Sequence, residues 1–166
     1  MGYAPSLVRP NDTKPTHDFG FYGSLTRRRL SILKRLAKYA NNPLAVRLVS
    51  DFKTQTERDT AMRQAKVVVQ LRKFDRMGLV SSSRCNTALC LGRPVVAEPH
   101  DLSKPWDEIV TFTQPMEQFF SMCLFMRATW RSKHEAQMER FKTLLSPDNC
   151  VGQAFRKIGI FQAVAA

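Results

Sequence analysis

The stretch Gly78-Leu79-Val80-Ser81-Ser82-Ser83-Arg84-Cys85-Asn86-Thr87-Ala88-Leu89-Cys90-Leu91-Gly92-Arg93-Pro94-Val95-Val96-Ala97-Glu98 reads as a loop, a short helix, a glycine stop and a buried strand. Three serines stand where the helix should begin, and Arg84 follows in its first turn. A helix start carries unpaired N–H groups and a partial positive charge, so it can hold an anion. Gly92 suits the left-handed turn that ends a helix, and Pro94 prevents its continuation. Val95-Val96-Ala97 is apolar without alternation, the pattern of a strand covered on both faces.

Working outward, the same alternation recurs. Phe19-Gly20-Phe21-Tyr22 predicts a short strand, and residues 25–40 a helix with Leu30, Leu33, Ala37 and Ala40 inside and Arg27, Lys34, Arg35 and Lys38 in water. Ala45–Val49 predicts a second strand. A polar helix capped by Thr56 follows, running to Ala65. Lys66-Val67-Val68-Val69-Gln70-Leu71 is the clearest strand, β-branched and continuous. Beyond Glu98, Glu108–Phe112 predicts a fifth strand. Residues 116–131 predict a helix with Met116, Phe120, Cys123, Arg127 and Trp130 on one face. More helix follows through Leu145, and a final one spans Gln153–Lys157. Short buried strands alternating with helices predict an α/β fold: a Rossmann-like open parallel sheet with helices on both faces, in a single domain. Residues 1–17, with three prolines, predict an extended arm or linker, and residues 18–166 the domain itself.

Composition narrows the partners. The chain has 166 residues, enough for one domain with a true core, and a net charge of +12. The excess is uneven: residues 1–73 hold 15 basic and 5 acidic side chains, the remainder 11 and 9. A basic first half calls for a negative partner such as a phosphate or an acidic protein surface. Cys85, Cys90, Cys123 and Cys150 form no CxxC pair and read as reduced core residues. His134-Glu135 lacks a second histidine at Met138, so no zinc-protease helix is present, and the sequence calls for no metal. No secretory leader or spanning segment is visible, which predicts a cytoplasmic protein with no membrane span.

In an open parallel sheet the ligand lies beyond the carboxyl ends of the strands. Tyr22-Gly23-Ser24 leads into a helix start bearing Arg27 and Arg28, where the backbone can approach a diphosphate and an arginine can grip it. Ser82, Ser83 and Arg84 form a second anion-binding start. Asp75 after the third strand can take a ribose hydroxyl or hold an arginine. Glu98 after the fourth can face the same crevice or stand solvated. Neither GxxxxGK[ST] nor GxGxxG occurs, so this is neither a Walker loop nor a dinucleotide fingerprint.

Phe21-Tyr22-Gly23-Ser24, the run Arg27-Arg28-Arg29, Arg84, Gly92-Arg93-Pro94-Val95-Val96, Glu98 and Pro105-Trp106-Asp107-Glu108-Ile109-Val110 stand in an order that resembles a known family. It is the C-terminal, nucleotide-sugar-binding half of two-domain glycosyltransferases of the GT-B fold, closest to the spore-protein-like branch. Met1-Gly2-Tyr3-Ala4-Pro5 is similar to the interdomain segment that precedes it. The resemblance covers about residues 2–130. It implies half of a GT-B architecture that binds a nucleotide-diphosphate sugar as substrate, with no cofactor. Gly23, Ser24, Arg27, Arg28, Ser82, Ser83 and Arg84 would lie on the diphosphate, and Asp75 and Glu98 on ribose or sugar. The paired glutamates of many retaining members fall here on Leu79 and Thr87, so that pair is not carried over. The acceptor-side domain would come from elsewhere, and no catalytic residue is assigned.

Two further function classes stand beside sugar transfer. A non-catalytic subunit on the same fold would dock a protein partner through an acidic or apolar surface of that partner. Nucleic-acid binding through the basic half has little support, because the aromatic residues near position 20 belong to a core strand.

Overall fold

The Val-rich segment forms the middle of the sheet. The computed structural model describes residues 3–9, 13–50, 52–75, 81–98, 105–113 and 115–157. Five strands, β1 (His17–Tyr22), β2 (Val46–Val49), β3 (Ala65–Gln70), β4 (Val95–Ala97) and β5 (Thr111–Phe112), make one sheet in the order β2-β1-β3-β4-β5. Every pairing is parallel, with Phe19 opposite Val46 and Val67, Val68 opposite Val95, and Val96 opposite Thr111. This is a Rossmann-like α/β fold, and its strand order reverses between β1 and β3.

The helices are α1 (Arg27–Tyr39), α2 (Gln55–Arg63), α3 (Ser82–Cys90), α4 (Trp106–Ile109), α5 (Met116–Ala128), α6 (Trp130–Leu144) and α7 (Pro147–Lys157). Successive strand residues point to opposite faces, so the sheet separates two apolar layers. Phe19, Phe21, Val67, Val69 and Val96 pack with Leu33 and Leu36 of α1 and Phe119, Phe120 and Cys123 of α5. Val68, Val95 and Ala97 pack on the other side with Met62 of α2, Leu89 of α3, and Met138 and Phe141 of α6. Helices thus cover both faces. No helix among the described residues is long and apolar enough to cross a membrane.

Several elements differ from their sequence expectation. The buried stripe of α1 is Arg29, Ile32, Leu33 and Leu36, rotated from the expected Leu30, Leu33, Ala37 and Ala40. An arginine on the inner stripe disguised the true face. Arg27, Lys34, Arg35 and Lys38 are exposed as expected. Thr54, not Thr56, caps α2: its hydroxyl accepts from Glu57 N, and Glu57 reaches back to Thr54 N in a capping box. The expected fifth strand is divided: Glu108 and Ile109 belong to the α4 turn, and β5 keeps only Thr111 and Phe112. The last helix begins at Pro147, well before Gln153, and Ser146 Oγ accepts from Asn149 N at 3.2 Å. Cys85, Cys90 and Cys123 are buried free thiols, whereas Cys150 is exposed rather than a core residue.

The described part of the N-terminal arm is tied down. Tyr3 N donates to Leu145 O at 2.7 Å, and the Tyr3 ring meets Phe141 edge-on. Arg9 N donates to Cys90 O at 3.1 Å, and Thr16 N to Gln64 O at 2.8 Å. Met1-Gly2 and Leu79, which entered the family resemblance, lie outside the described residues, as do residues 158–166 of the expected domain.

Candidate functional site at the carboxyl ends of the strands

Where strand order reverses in an open parallel sheet, a crevice lies beyond the strand ends, and here Gly23, Arg84 and the start of α3 stand at the reversal between β1 and β3. Gly23 ends β1 with φ +132°, a conformation that side chains rarely adopt. A Cβ there would lie 3.1 Å from the Arg84 guanidinium carbon. The glycine therefore answers both a backbone and a space requirement, and it lets Arg84 of α3 lean over the end of β1.

Arg84 has neutral partners. Its Nη1 donates to Gln70 Oε1 at 3.2 Å, and its guanidinium lies 5.8 Å from the centre of the Tyr22 ring. Among the described residues no carboxylate comes within salt-bridge distance of it. Burial pushes its pKa below the ordinary arginine value. A partly buried cation without a counter-charge favours an anion. Ser81 precedes α3 without a side-chain capping bond, so the N–H groups of the first turn, around Ser82 and Ser83, are not capped by it. Ser82 is partly buried and Ser83 exposed.

The three consecutive arginines of α1 divide their roles because each residue turns 100° around the helix. Arg27 faces water. Arg29 is buried and clamps backbone: Nε to Arg72 O at 3.1 Å, Nη1 to Ser24 O at 2.9 Å and Nη2 to Leu71 O at 2.8 Å. It ties the end of β3 to the loop after β1, and its Nη1 also reaches Ser24 Oγ at 3.3 Å. Burial, with the nearby Arg84 charge, pulls its pKa down to about 10.

Arg28 takes the acids. Its guanidinium donates to Glu98 through Nη1 at 2.9 Å and Nη2 at 2.5 Å, and through Nε to Asp75 at 2.5 Å. The hydrogen bond to Glu98 leads in raising the Arg28 pKa above its ordinary value, against the opposing effect of burial. The Glu98 side chain is 1% exposed and that of Asp75 84%. Glu98 is thus buried rather than solvated, and Arg72 N donates to its Oε2 at 2.7 Å. Asp75 sits at the mouth, where a ligand hydroxyl can compete for it.

The structure therefore brings Gly23, Arg84 and the α3 start together. It groups Arg28, Asp75 and Glu98 in a separate ionic knot and assigns Ser24 to Arg29. Sequence reasoning missed Gln70 and Arg72, and it quoted Tyr22 and Arg29 with the helix start without giving either its own role. One signal was available: Gln70 is a polar residue that closes the apolar run Val67–Val69 at the carboxyl end of β3. Among the described residues no three His, Cys, Asp or Glu side chains gather as a metal site would require. The chain matches no protein-family model, no curated protein and no solved structure.

Proposed function

We propose that the crevice binds the diphosphate of a nucleotide, and that the chain acts as the donor-binding module of a glycosyltransferase-like system. The observation that carries this reading is Arg84, a half-buried guanidinium with neutral partners, resting on Gly23 beside the α3 start at the strand-order reversal. Backbone N–H groups and a fixed guanidinium aimed at one place favour the charge of a departing diphosphate. The family resemblance supplies the sugar, and the acceptor side would come from another domain.

Thermal denaturation with UDP, GDP, ADP, TDP and CDP tests it. A ligand that binds only the folded state at a hundred times its Kd adds about 2.7 kcal/mol of stability. The expected result is a selective rise in Tm that disappears in Arg84→Gln and persists in Arg35→Ala. A flat response to all five sinks the proposal.

The Arg28–Glu98 pair favours a second reading. The carboxylate that the resemblance places on the donor sugar is already held by an arginine. A scaffold subunit would need no sugar contact. Its docking face would be the outer side of α1, where Arg27, Lys34, Arg35 and Lys38 are exposed near Leu44. A stoichiometric acidic partner retained at low salt, with no nucleotide response, would decide for it.

A further inference from the structure

A cavity of about 310 Å³ opens between α2 and α3 where the N-terminal arm crosses them. Its walls include Leu7 and Arg9 from the arm, Gln55 and Arg58 from α2, and Ser83 and Thr87 from α3. The volume lies near the lower end of the range of small-ligand sites, about 300–1,000 Å³. The lining mixes apolar Leu7 and Leu91 with the amides of Gln55 and Asn86, the hydroxyls of Ser83 and Thr87, and the charged Arg9, Arg58 and Asp59. The Arg58 charge is met by Asp59, at 2.8 Å from Nε and 2.6 Å from Nη2. Such a lining suits an uncharged planar ring with hydrogen-bonding edges and a hydroxylated sugar.

Two joints connect this cavity to the crevice. Ser83 lines the cavity and immediately precedes Arg84 on α3. Arg58 also lines it, and its guanidinium lies 5.6 Å from the centre of the same Tyr22 ring that Arg84 approaches. Tyr22 thus stands between the two compartments with an arginine from each. Ser83 and Thr87 are one helical turn apart, about 6 Å, which suits a ring system attached to a phosphate at the helix start. Two other grooves among the described residues lack these joints. One, of about 400 Å³, lies at the far end of α1 around Lys34 and Pro43. Another, of about 290 Å³, runs along α2 beside Arg63 and Thr56.

We infer that the α2–α3 cavity is the nucleoside compartment of this site, receiving base and ribose while the diphosphate lies against Arg84. The inference rests on the diphosphate reading above and adds where the rest of the nucleotide goes. The arm then forms one wall of the ligand site, with Leu7 against the ring.

Titration calorimetry on the full chain with inorganic pyrophosphate and the five nucleoside diphosphates separates the two ideas. The wild type should bind at least one nucleoside diphosphate tenfold or more tighter than pyrophosphate. Gln55→Trp and Thr87→Trp fill the cavity from opposite walls, and either one, if folded, suffices. Each should abolish the nucleoside advantage and leave pyrophosphate binding unchanged. If a filled variant keeps the advantage, or the wild type shows none, the nucleoside inference is overturned and the diphosphate site stands. If a folded variant loses pyrophosphate as well, the inference is overturned because the diphosphate itself would occupy the cavity. If neither pyrophosphate nor any nucleotide binds the wild type, both readings fall.

Discussion

Arg28 and Glu98, 70 residues apart in sequence, close a two-pronged ion pair beyond the ends of β3 and β4. The pair joins α1 on one face of the sheet to the residue that follows β4, and Arg72 N makes a third bond to the same carboxylate. Arg84 has no such acid among the described residues. One arginine serves the fold, and the other meets only neutral groups among the described residues.

Removing Arg28 should therefore act on stability first. In Arg28→Ala the Glu98 carboxylate stays buried without its main counter-charge, a change that costs about 3 kcal/mol. Urea denaturation should show this loss, and Arg28→Met/Glu98→Leu should recover at least half of it. An unaltered midpoint in Arg28→Ala would mean that the pair contributes nothing.

Gly23 and Gly20 should respond differently to alanine. At Gly23, φ +132° strains any side chain, at about 1–3 kcal/mol, and the added Cβ displaces Arg84. Gly23→Ala should lower Tm and remove the nucleotide response together. At Gly20 a Cβ would come 2.9 Å from the Ala65 Cβ on the neighbouring strand. Gly20→Ala should be rescued in part by Ala65→Gly, whereas Gly23→Ala should have no second-site rescue at position 65.

Gln137 of α6 replaces a missing piece of strand. Pro94 O and Glu98 N bond to β3, which directs Val95 to the opposite edge, where β5 begins only across from Val96. Gln137 Oε1 accepts from Val95 N at 2.8 Å, and its Nε2 donates to Val95 O at 2.9 Å. Gln137→Leu leaves both backbone groups buried and unpaired, and should cost about 2–4 kcal/mol in urea unfolding. Hydrogen exchange at Val95 should accelerate in the same variant.

The buried thiols set an alkaline limit. Burial raises Cys85 from 9.0 to about 12 and pushes Cys123 up as well. Above pH 9 the unfolded chain loses thiol protons that the folded chain keeps, so the unfolded state binds fewer protons. Stability contributed by these thiols is complete below pH 9 and falls as pH rises toward 12. The slope is about 1.4 kcal/mol per pH unit for each thiol. Replacing both by alanine should flatten this limb. Iodoacetamide at neutral pH should label Cys150 and spare Cys85 and Cys123, and labelling of either buried thiol in the folded protein would contradict this account.

The sequence made the frame legible wherever one physical requirement dominated. Val67–Val69 and Val95–Ala97 could only be buried strands, and Gly92 with Pro94 could only end α3. The site was readable to the extent that Gly23 and Arg84 mark helix and strand ends. It was unreadable where rotation decides. Arg27, Arg28 and Arg29 are chemically identical, and only the turn of α1 sends one to water, one to Glu98 and one into the backbone. The same rotation hid the inner stripe of α1, since Arg29 breaks its apolar pattern. The α2 cap was within reach, because Thr54 has a glutamate three residues on, as a capping box prefers, whereas Thr56 has the shorter Asp59. Glu98 needed the tertiary structure: nothing local tells a strand-end acid that an arginine 70 residues earlier will bury it.

The strand order also sets a timetable for the growing chain. β1 pairs with β2 on one edge and with β3 on the other. A nascent chain that has delivered only β1, α1 and β2 leaves the second edge of β1 open. At about 5–20 residues per second, the Val-rich β3 that closes it follows within seconds. During that interval Phe19 and Phe21 lack the cover that Val67 and Val69 bring. The proposed diphosphate site needs residues 23, 70 and 84 at once, so its ligand could reward only a chain that has passed this stage. Chaperone dependence should accordingly track substitutions in β1 and β3, with nucleotide unable to relieve it.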